Sequence, residues 1–213
     1  PSTKSIVISC AGIGSRLGLG QTKALINING KSLIAWQLEL FKAVEDIRIV
    51  VGYEANEVIK EVLQYREDVI FIYNHHYFET KTGASFYLGA KHANEYVIEW
   101  DGDLLVHPDD VRKILSIDEE FICYSDKTSD EIIFLSVDEK GAVTSFSREN
   151  GDYEWTGPAC IKKNKLSYSS GNVFNQLEPY LPMPGLKIRA YDIDTYDDYL
   201  RVSEIVKTWG INE

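Results

Sequence analysis

Short apolar runs alternate with longer segments of helical periodicity, and this alternation is the feature that most constrains the fold. The alternating segments are residues 6–9, 32–44, 47–51, 55–65, 69–73, 84–94 and 96–99. Their strand-like members are apolar throughout, which is typical of parallel strands buried by helices on both faces. Ser32 is a predicted N-cap for the first helix. The pattern predicts an α/β fold, a Rossmann-like, mostly parallel sheet flanked by helices.

The second half of the chain has a different character. Residues 121–124, 132–137 and 143–146 are strand-like, and 138–141 form a predicted hairpin turn. Further predicted elements are an extended stretch at 155–162, a last strand at 187–191 and a last helix at 196–209. We therefore expect one domain, residues 1–213, in which about 121–162 form a small antiparallel insertion beside the site.

Composition excludes several classes of partner. The 213 residues carry 22 basic and 33 acidic side chains, a formal charge of −11. This balance argues against a nucleic acid or an anionic membrane surface as partner. No apolar run is long enough to span a membrane, and we expect no secretion signal. Three scattered cysteines are expected to be buried, reduced thiols, so the predicted location is the cytoplasm.

A glycine-rich loop follows the first predicted strand. Gly12 and Gly14 would let backbone N–H groups approach phosphate oxygens closely. The loop is not the dinucleotide-binding fingerprint, because Leu17 stands where the third glycine would be. Arg16 and Lys23 follow as two cations that could reach the same ligand.

Two acidic clusters follow predicted strands. Asp101 and Asp103 flank a glycine after the strand at 96–99, and Asp192 and Asp194 lie at the end of the last strand. Ligands of open α/β sheets bind beyond the carboxyl ends of the strands. Carboxylates there suit a hard cation such as Mg²⁺, although turn and helix-cap roles remain alternatives.

Taken together, these motifs resemble the nucleotidyltransferase superfamily, whose fold is related to that of the GT-A glycosyltransferases. Residues 10–17 resemble its Ala-Ala-Gly-x-Gly-x-Arg-Leu signature, with Cys10 in place of the first alanine. Thr22-Lys23 stands where the family has Pro-Lys, a change that could leave Lys23 less rigidly aimed. Further resembling segments are 30–34, 51–53, 73–74, 82–88, 101–103 and 192–195. The chain looks most like the small cytidylyltransferases for alkyl or polyol phosphates and phosphonates.

The resemblance implies an activity and a role for each matching residue. The phosphate or phosphonate of a small acceptor would attack the α-phosphorus of CTP and release pyrophosphate, for decoration of a cell-surface polymer or lipid. Arg16 and Lys23 would be catalytic, and Asp103 and Asp194 would hold Mg²⁺. The nucleotide would be bound by residues that match the family's loops and strand ends, namely Ala11, Gly12, Ile13, Gly14, Ser15, Gly52, Tyr53, Asn74, Thr82, Gly83, Ser85 and Asp101.

The acceptor is less well determined by the sequence. The candidate acceptor-binding residues are Arg148, Glu154, Trp155 and Asp192. Trp155 beside Glu154 could bind a cationic head group such as choline through cation–π and charge contacts. Packing of Trp155 within the sheet is the alternative, and a polyol acceptor is equally compatible.

Two other enzyme activities stay open. A sugar-1-phosphate nucleotidylyltransferase using UTP, dTTP or GTP would share the same loops. A GT-A glycosyltransferase would use Asp101-Gly102-Asp103 to hold a nucleotide sugar, although it would not need Arg16 and Lys23 at an attacked phosphorus. The oligomeric state is a separate matter, and the sequence is compatible with a homodimer.

Overall fold

The computed structural model describes residues 3–13, 22–128 and 132–211. Six α-helices are assigned in this part of the chain: α1 (Leu33–Leu40), α2 (Ala55–Leu63), α3 (Thr82–Ala90), α4 (Pro108–Ser116), α5 (Val173–Leu177) and α6 (Tyr196–Lys207). Seven β-strands are assigned in its first half: β1 (Lys4–Cys10), β2 (Asn27–Ile28), β3 (Lys31–Ser32), β4 (Asp46–Val51), β5 (Val69–Tyr73), β6 (Tyr96–Asp101) and β7 (Leu104–Val106). The remaining strands are β8 (Phe121–Tyr124), β9 (Ile133–Val137), β10 (Ala142–Ser147), β11 (Tyr153–Trp155), β12 (Ala159–Lys162), β13 (Met183–Lys187) and β14 (Ala190–Asp192).

One large sheet organises these elements. Its strand order is β11-β9-β10-β13-β8-β12-β6-β1-β4-β5. The pairs β6-β1, β1-β4, β4-β5 and β13-β8 are parallel, and only β12, β10 and β11 run against the other seven described strands. The predicted mostly parallel α/β sheet is therefore confirmed. Two small antiparallel ribbons, β2-β3 and β14-β7, stand beside it.

Helices cover both faces of the sheet. Alternate residues of β1 separate the two cores: Ile6 and Ile8 pack toward α1, α2 and α4, and Val7 packs toward α3 and α5. The side chains of these three residues are completely buried. Strands that bury both faces must be apolar at every position, which explains the continuous apolar runs in the sequence.

The predicted N-cap of the first helix is confirmed. The hydroxyl oxygen of Ser32 accepts a hydrogen bond from the backbone N–H of Ala35 at 3.2 Å. The helix ends at Leu40, earlier than the predicted residue 44. Residues 41–43 follow as turns.

The strand predicted at 187–191 is wrong as a single element. The chain leaves the large sheet after Lys187 and begins the β14-β7 ribbon at Ala190. Arg189 lies between these two strands. Its backbone N–H and guanidinium donate hydrogen bonds to the buried carboxylate of Asp110 at 2.8–3.2 Å. This ion pair fixes the corner at which the last strands change sheet.

The stretch predicted at 155–162 is also divided. Trp155 ends β11 at one edge of the sheet, whereas β12 begins at Ala159 beside β6. Strands β8 and β12 thus belong to the middle of the large sheet, and β9, β10 and β11 form its outer part together. That residues 121–162 act as an acceptor-side insertion within one domain stays a prediction.

Gly89 lets α3 approach the sheet, and we expect its replacement by alanine to destabilise the protein. A Cβ at this position would lie 2.4 Å from Cγ1 of Val7 and 2.8 Å from Cγ2 of Val50. Overpacking of this kind costs about 1–3 kcal/mol. Urea denaturation should therefore show a lower free energy of unfolding. At an uncrowded helical position the same change stabilises by about 1 kcal/mol, so an increase would contradict the packing.

The three cysteines are buried and free, as predicted. Burial raises the pKa of all three thiols, that of Cys160 to about 12. Because the thiolate is the reactive species, we expect no reaction of the native protein with a thiol-specific disulfide reagent at pH 8. All three should react after denaturation. A stoichiometric reaction of any thiol in the folded protein would contradict this burial.

No helix in the described ranges is long and apolar enough to cross a membrane. The cytoplasmic location stays a prediction.

Candidate active site

Two clefts open at the carboxyl ends of the parallel strands and share part of their walls. The first, of about 510 Å³, extends from the end of β1 to the start of α3. The second, of about 580 Å³, extends toward β9, β11 and α5. Thr82, Asp101, Asp103 and Asn172 line both clefts. The two predicted acidic clusters and Lys23 meet at this junction.

Asp101 ends β6, and Asp103 lies in the turn between β6 and β7. This turn is held against the end of β1 by a hydrogen bond from the N–H of Gly102 to the carbonyl oxygen of Ser9, at 2.9 Å. A Cβ on Gly102 would lie 2.7 Å from the Cys10 sulfur and 2.9 Å from that carbonyl oxygen. Glycine is therefore required between the two aspartates for the turn to pack this closely.

The β14-β7 ribbon brings the second acidic cluster to the first. Asp192 lies opposite Leu104, the residue that follows Asp103 in the chain. Beyond the strand, Ile193 is completely buried and anchors the segment in the core beside α6. Asp194 is consequently brought to the junction next to Asp103.

Lys23 joins the two clusters. Its Nζ lies 3.2 Å from Oδ2 of Asp103 and 2.5 Å from Oδ1 of Asp194. The preceding residue, Thr22, is buried, and its backbone N–H donates a hydrogen bond to Oε2 of Glu54 at 3.0 Å. Proline has no N–H and could not donate this bond. Thr22 is therefore held in place by a hydrogen bond to Glu54, and not by the rigid ring of the proline that is usual in the family.

Burial and charge crowding shift the pKa values of the junction. Burial lowers the pKa of Lys23, but Asp103 and Asp194 together raise it above its usual value. Burial raises the pKa of Asp101 to about 6 and, with help from the neighbouring carboxylates, that of Asp192 to about 8. Among the described residues, the junction therefore holds more acidic groups than the single cation of Lys23 neutralises.

Asn74 organises the wall of the first cleft where β5 ends. Its side-chain amide donates to the hydroxyl oxygens of Thr80 and Ser85 at 3.0 and 3.1 Å, and its Oδ1 accepts from the N–H of His76 at 3.0 Å. Asn74 and Ser85 are both buried. This network fixes the loop that connects β5 to α3.

Nine of the predicted residues line the first cleft: Ala11, Gly12, Ile13, Lys23, Asn74, Thr82, Ser85, Asp101 and Asp103. Three others pack beside it. The N–H of Tyr53 donates to the carbonyl oxygen of Ala11 at 3.1 Å. A Cβ on Gly52 would meet the ring of Tyr77, and one on Gly83 would lie 2.6 Å from the carbonyl oxygen of Gly171. The backbone packing at these positions supports the cleft from outside.

The predicted acceptor residues divide into two groups. Arg148, Trp155 and Asp192 line the second cleft. The structure does not bring Glu154 there: its side chain is buried, and its Oε2 accepts from the backbone N–H and hydroxyl of Thr128 at 3.2 and 2.9 Å. Contact between Glu154 and an acceptor therefore stays a prediction, and the buried position of its side chain does not support it.

Three predicted residues, Gly14, Ser15 and Arg16, lie outside the described residues. Conversely, several residues that line the clefts were not predicted from the sequence: Tyr77, Thr80, Lys81, Ile132, Ile133, Asn172 and Phe174. Thr80 and Lys81 directly precede a predicted site segment, and this proximity could have suggested them. Asn172 and Phe174 come from a distant part of the chain and carry no comparable signal.

Family comparison decides the class of this site. Residues 6–157 match the model of the MobA-like NTP transferase domain. The chain belongs to this family. The transferase is 28% identical to the choline-phosphate cytidylyltransferase of Streptococcus pneumoniae in an alignment that covers 94% of this chain and 97% of that protein.

Solved structures show the same fold. The inositol-1-phosphate CTP transferase from T. maritima superposes on the transferase with a TM-score of 0.84 at 18% identity, covering 99% of this chain and 97% of the other. The CTP:phosphocholine cytidylyltransferase from Streptococcus pneumoniae gives a TM-score of 0.75 at 23% identity, covering 96% and 99%. The predicted nucleotidyltransferase fold and superfamily are confirmed, and the protein is a nucleotidyltransferase.

Proposed function

We propose that the protein is a Mg²⁺-dependent cytidylyltransferase that joins CMP to a small alkyl or polyol phosphate or phosphonate and releases pyrophosphate. One observation supports this most: Lys23 and the carboxylates of Asp103 and Asp194 lie where a nucleotide cleft meets a second cleft. A reaction between two bound phosphates needs this arrangement, because the attacking oxygen and the α-phosphorus must approach at the boundary of their binding sites.

The residues at the junction fit a magnesium ion. Asp103 and Asp194 already bind a cation there, the ammonium group of Lys23. Among the described residues, no group of three or more His, Cys, Asp or Glu side chains could hold a metal. Mg²⁺ is commonly bound by one or two carboxylates together with substrate phosphates. When bound at Asp103 and Asp194, it would neutralise charge on the reacting phosphates and orient them.

The protein's own groups would do the remaining work. The backbone of 11–13 and the Asn74 network would hold the nucleotide in the first cleft, and the acceptor phosphate would enter from the second. An acceptor oxygen then forms a bond to the α-phosphorus while the bond to the bridging oxygen of pyrophosphate breaks. Lys23, with Arg16, would stabilise the negative charge that accumulates during this step.

The second cleft suits an acceptor with a compact, partly apolar body. Trp155, Phe174 and Ile133 contribute apolar surface, Arg148 contributes a cation, and Asp192 contributes a carboxyl group. The guanidinium of Arg148 lies over the ring of Phe174, 5.5 Å from its centroid. A cationic head group would contact Trp155 and Asp192, and a polyol would hydrogen-bond to Asp192 and Thr156. The relatives named above, which act on choline phosphate and inositol 1-phosphate, support both possibilities.

A substrate grid tests the proposal. Each of four nucleoside triphosphates is combined with phosphocholine, 2-aminoethylphosphonate, glycerol phosphates and sugar 1-phosphates, and pyrophosphate release is measured with Mg²⁺. We expect CTP with a non-sugar acceptor to give the highest rate. Preference for UTP, dTTP or GTP with a sugar 1-phosphate would replace the proposal by the sugar nucleotidyltransferase alternative. The glycosyltransferase alternative needs a separate assay with a nucleotide sugar, and turnover of that substrate without release of pyrophosphate would favour it.

A further inference from the structure

The contacts of Lys23 place it where the proposed divalent cation would bind. Its Nζ contacts both carboxylates at 3.2 and 2.5 Å, and the Lys23 side chain is only 17% exposed. A single nitrogen within such distances of two oxygens occupies the space between them. The ammonium group and a metal ion therefore compete for one position.

Lys23 is held there by its backbone as well as by its charge. Residues Lys23–Leu25 form a short 3₁₀ helix. The backbone N–H of Thr22, which precedes this helix, donates a hydrogen bond to Glu54. The adjacent Ala24 is 2% exposed, so the base of the side chain is fixed. The long side chain can still rotate about its own bonds while its backbone stays in place.

We propose that Lys23 closes the Asp103–Asp194 position in the nucleotide-free protein, so that the divalent cation binds together with the nucleotide and not before it. This inference rests on the proposed function. A triphosphate entering the first cleft supplies a new anionic partner for the ammonium group. Lys23 can then leave the two carboxylates, and the cation that accompanies the triphosphate takes its place.

The arrangement has a direct thermodynamic consequence. When the binding-competent state is a minor fraction of the free protein, the apparent affinity falls by that fraction. If the open position of Lys23 is populated to a tenth or less, the affinity for the metal alone is reduced by about tenfold or more. Nucleotide binding removes this reduction, and the two ligands bind cooperatively.

Binding of Mn²⁺ to the nucleotide-free protein tests the inference, with the bound ion measured by electron paramagnetic resonance. We expect Lys23→Met to bind Mn²⁺ at least about tenfold more tightly than the wild type. The matched control is Lys81→Met, which removes the same charge from the wall of the same cleft, where Lys81 forms none of the described ion pairs. Its affinity should change by much less, because its ammonium does not occupy the metal position.

A second variant locates the ion. Adding Asp103→Asn to Lys23→Met should remove the gained Mn²⁺ binding. Equal affinities of Lys23→Met and wild type would overturn the inference, as would an equal gain in both lysine variants. Because these measurements contain neither CTP nor acceptor, they stand apart from the substrate grid. If the grid shows no preference for CTP but Lys23→Met binds Mn²⁺ more tightly than the wild type, cytidylyl transfer is rejected and the competition between Lys23 and the metal ion still holds.

Discussion

Replacement of Asp103 by asparagine is expected to lower kcat/KM for pyrophosphate release by about 10³-fold. The asparagine keeps the size of the side chain but removes one of the two carboxylates that contact Lys23. Loss of charge stabilisation at a reacting phosphate typically costs about 10²–10³-fold, and here we expect the metal site to be lost as well, about 4 kcal/mol in total. The measurement is steady-state kinetics with saturating Mg²⁺ and CTP, using the preferred acceptor from the grid.

The Asp103→Asn variant should be at least as stable toward urea as the wild type. Burial and the charge of Asp194 raise the pKa of Asp103, which shows that its charge is unfavourable in the folded protein. Removing it should leave the urea midpoint the same or higher. Asp126→Asn is the matched control, since Asp126 is 79% exposed and pairs with Lys187 instead. Nearly equal rates for the two variants would contradict the assignment of Asp103.

The acidic residues of the site were predictable one cluster at a time. Each cluster follows an apolar strand, so each could be placed at the carboxyl edge of the sheet from sequence alone. Their meeting depends on the pairing of Asp192 with Leu104, a register that no sequence spacing encodes. The residue pattern also predicted a single strand at 187–191, across the corner between β13 and β14, and that corner depends on Arg189 and Asp110.

On the acceptor side, Glu154 and Trp155 were both predicted to bind the acceptor although they are adjacent in the sequence. Successive residues of a strand point to opposite faces. Trp155 lines the second cleft, so its neighbour Glu154 in β11 must point away, and it is buried against Thr128. Strand alternation alone is enough to assign these two adjacent residues to opposite faces. Phe174 and Asn172, in contrast, reach the clefts only because α5 packs against α3.

Asn74 combines a predictable position with an unpredicted role. Its resemblance to the family's strand-end asparagine suggested a contact with the nucleotide. The structure gives it hydrogen bonds to Thr80 and His76 in the following loop and to Ser85 in α3, and these bonds fix the wall of the first cleft. Asn74 lines the first cleft, and its contact with a nucleotide stays a prediction. The contacts of a buried amide depend on packing that only the folded chain provides.

We expect Asn74→Ala to raise KM for CTP by about 10²-fold with a much smaller change in kcat. The alanine leaves the hydroxyl of Ser85 and the N–H of His76 without their present partners. Ser85 is buried, and an unsatisfied buried group costs about 1–3 kcal/mol, which the loop can avoid only by moving. A displaced wall weakens binding of the nucleotide in the ground state and transition state alike, and such a change appears mainly in KM.

Two further variants separate this role from a general loss of stability. Asn150→Ala, a change in an exposed loop outside both clefts, should leave KM for CTP unaltered. Ser85→Ala removes one hydrogen-bond partner of Asn74, and the double variant should be less impaired than the sum of the two single effects, because both act on one network. Strict additivity would show that Asn74 and Ser85 act independently. A fall in kcat at unchanged KM would instead place Asn74 in the chemical step, contrary to a role in positioning the nucleotide.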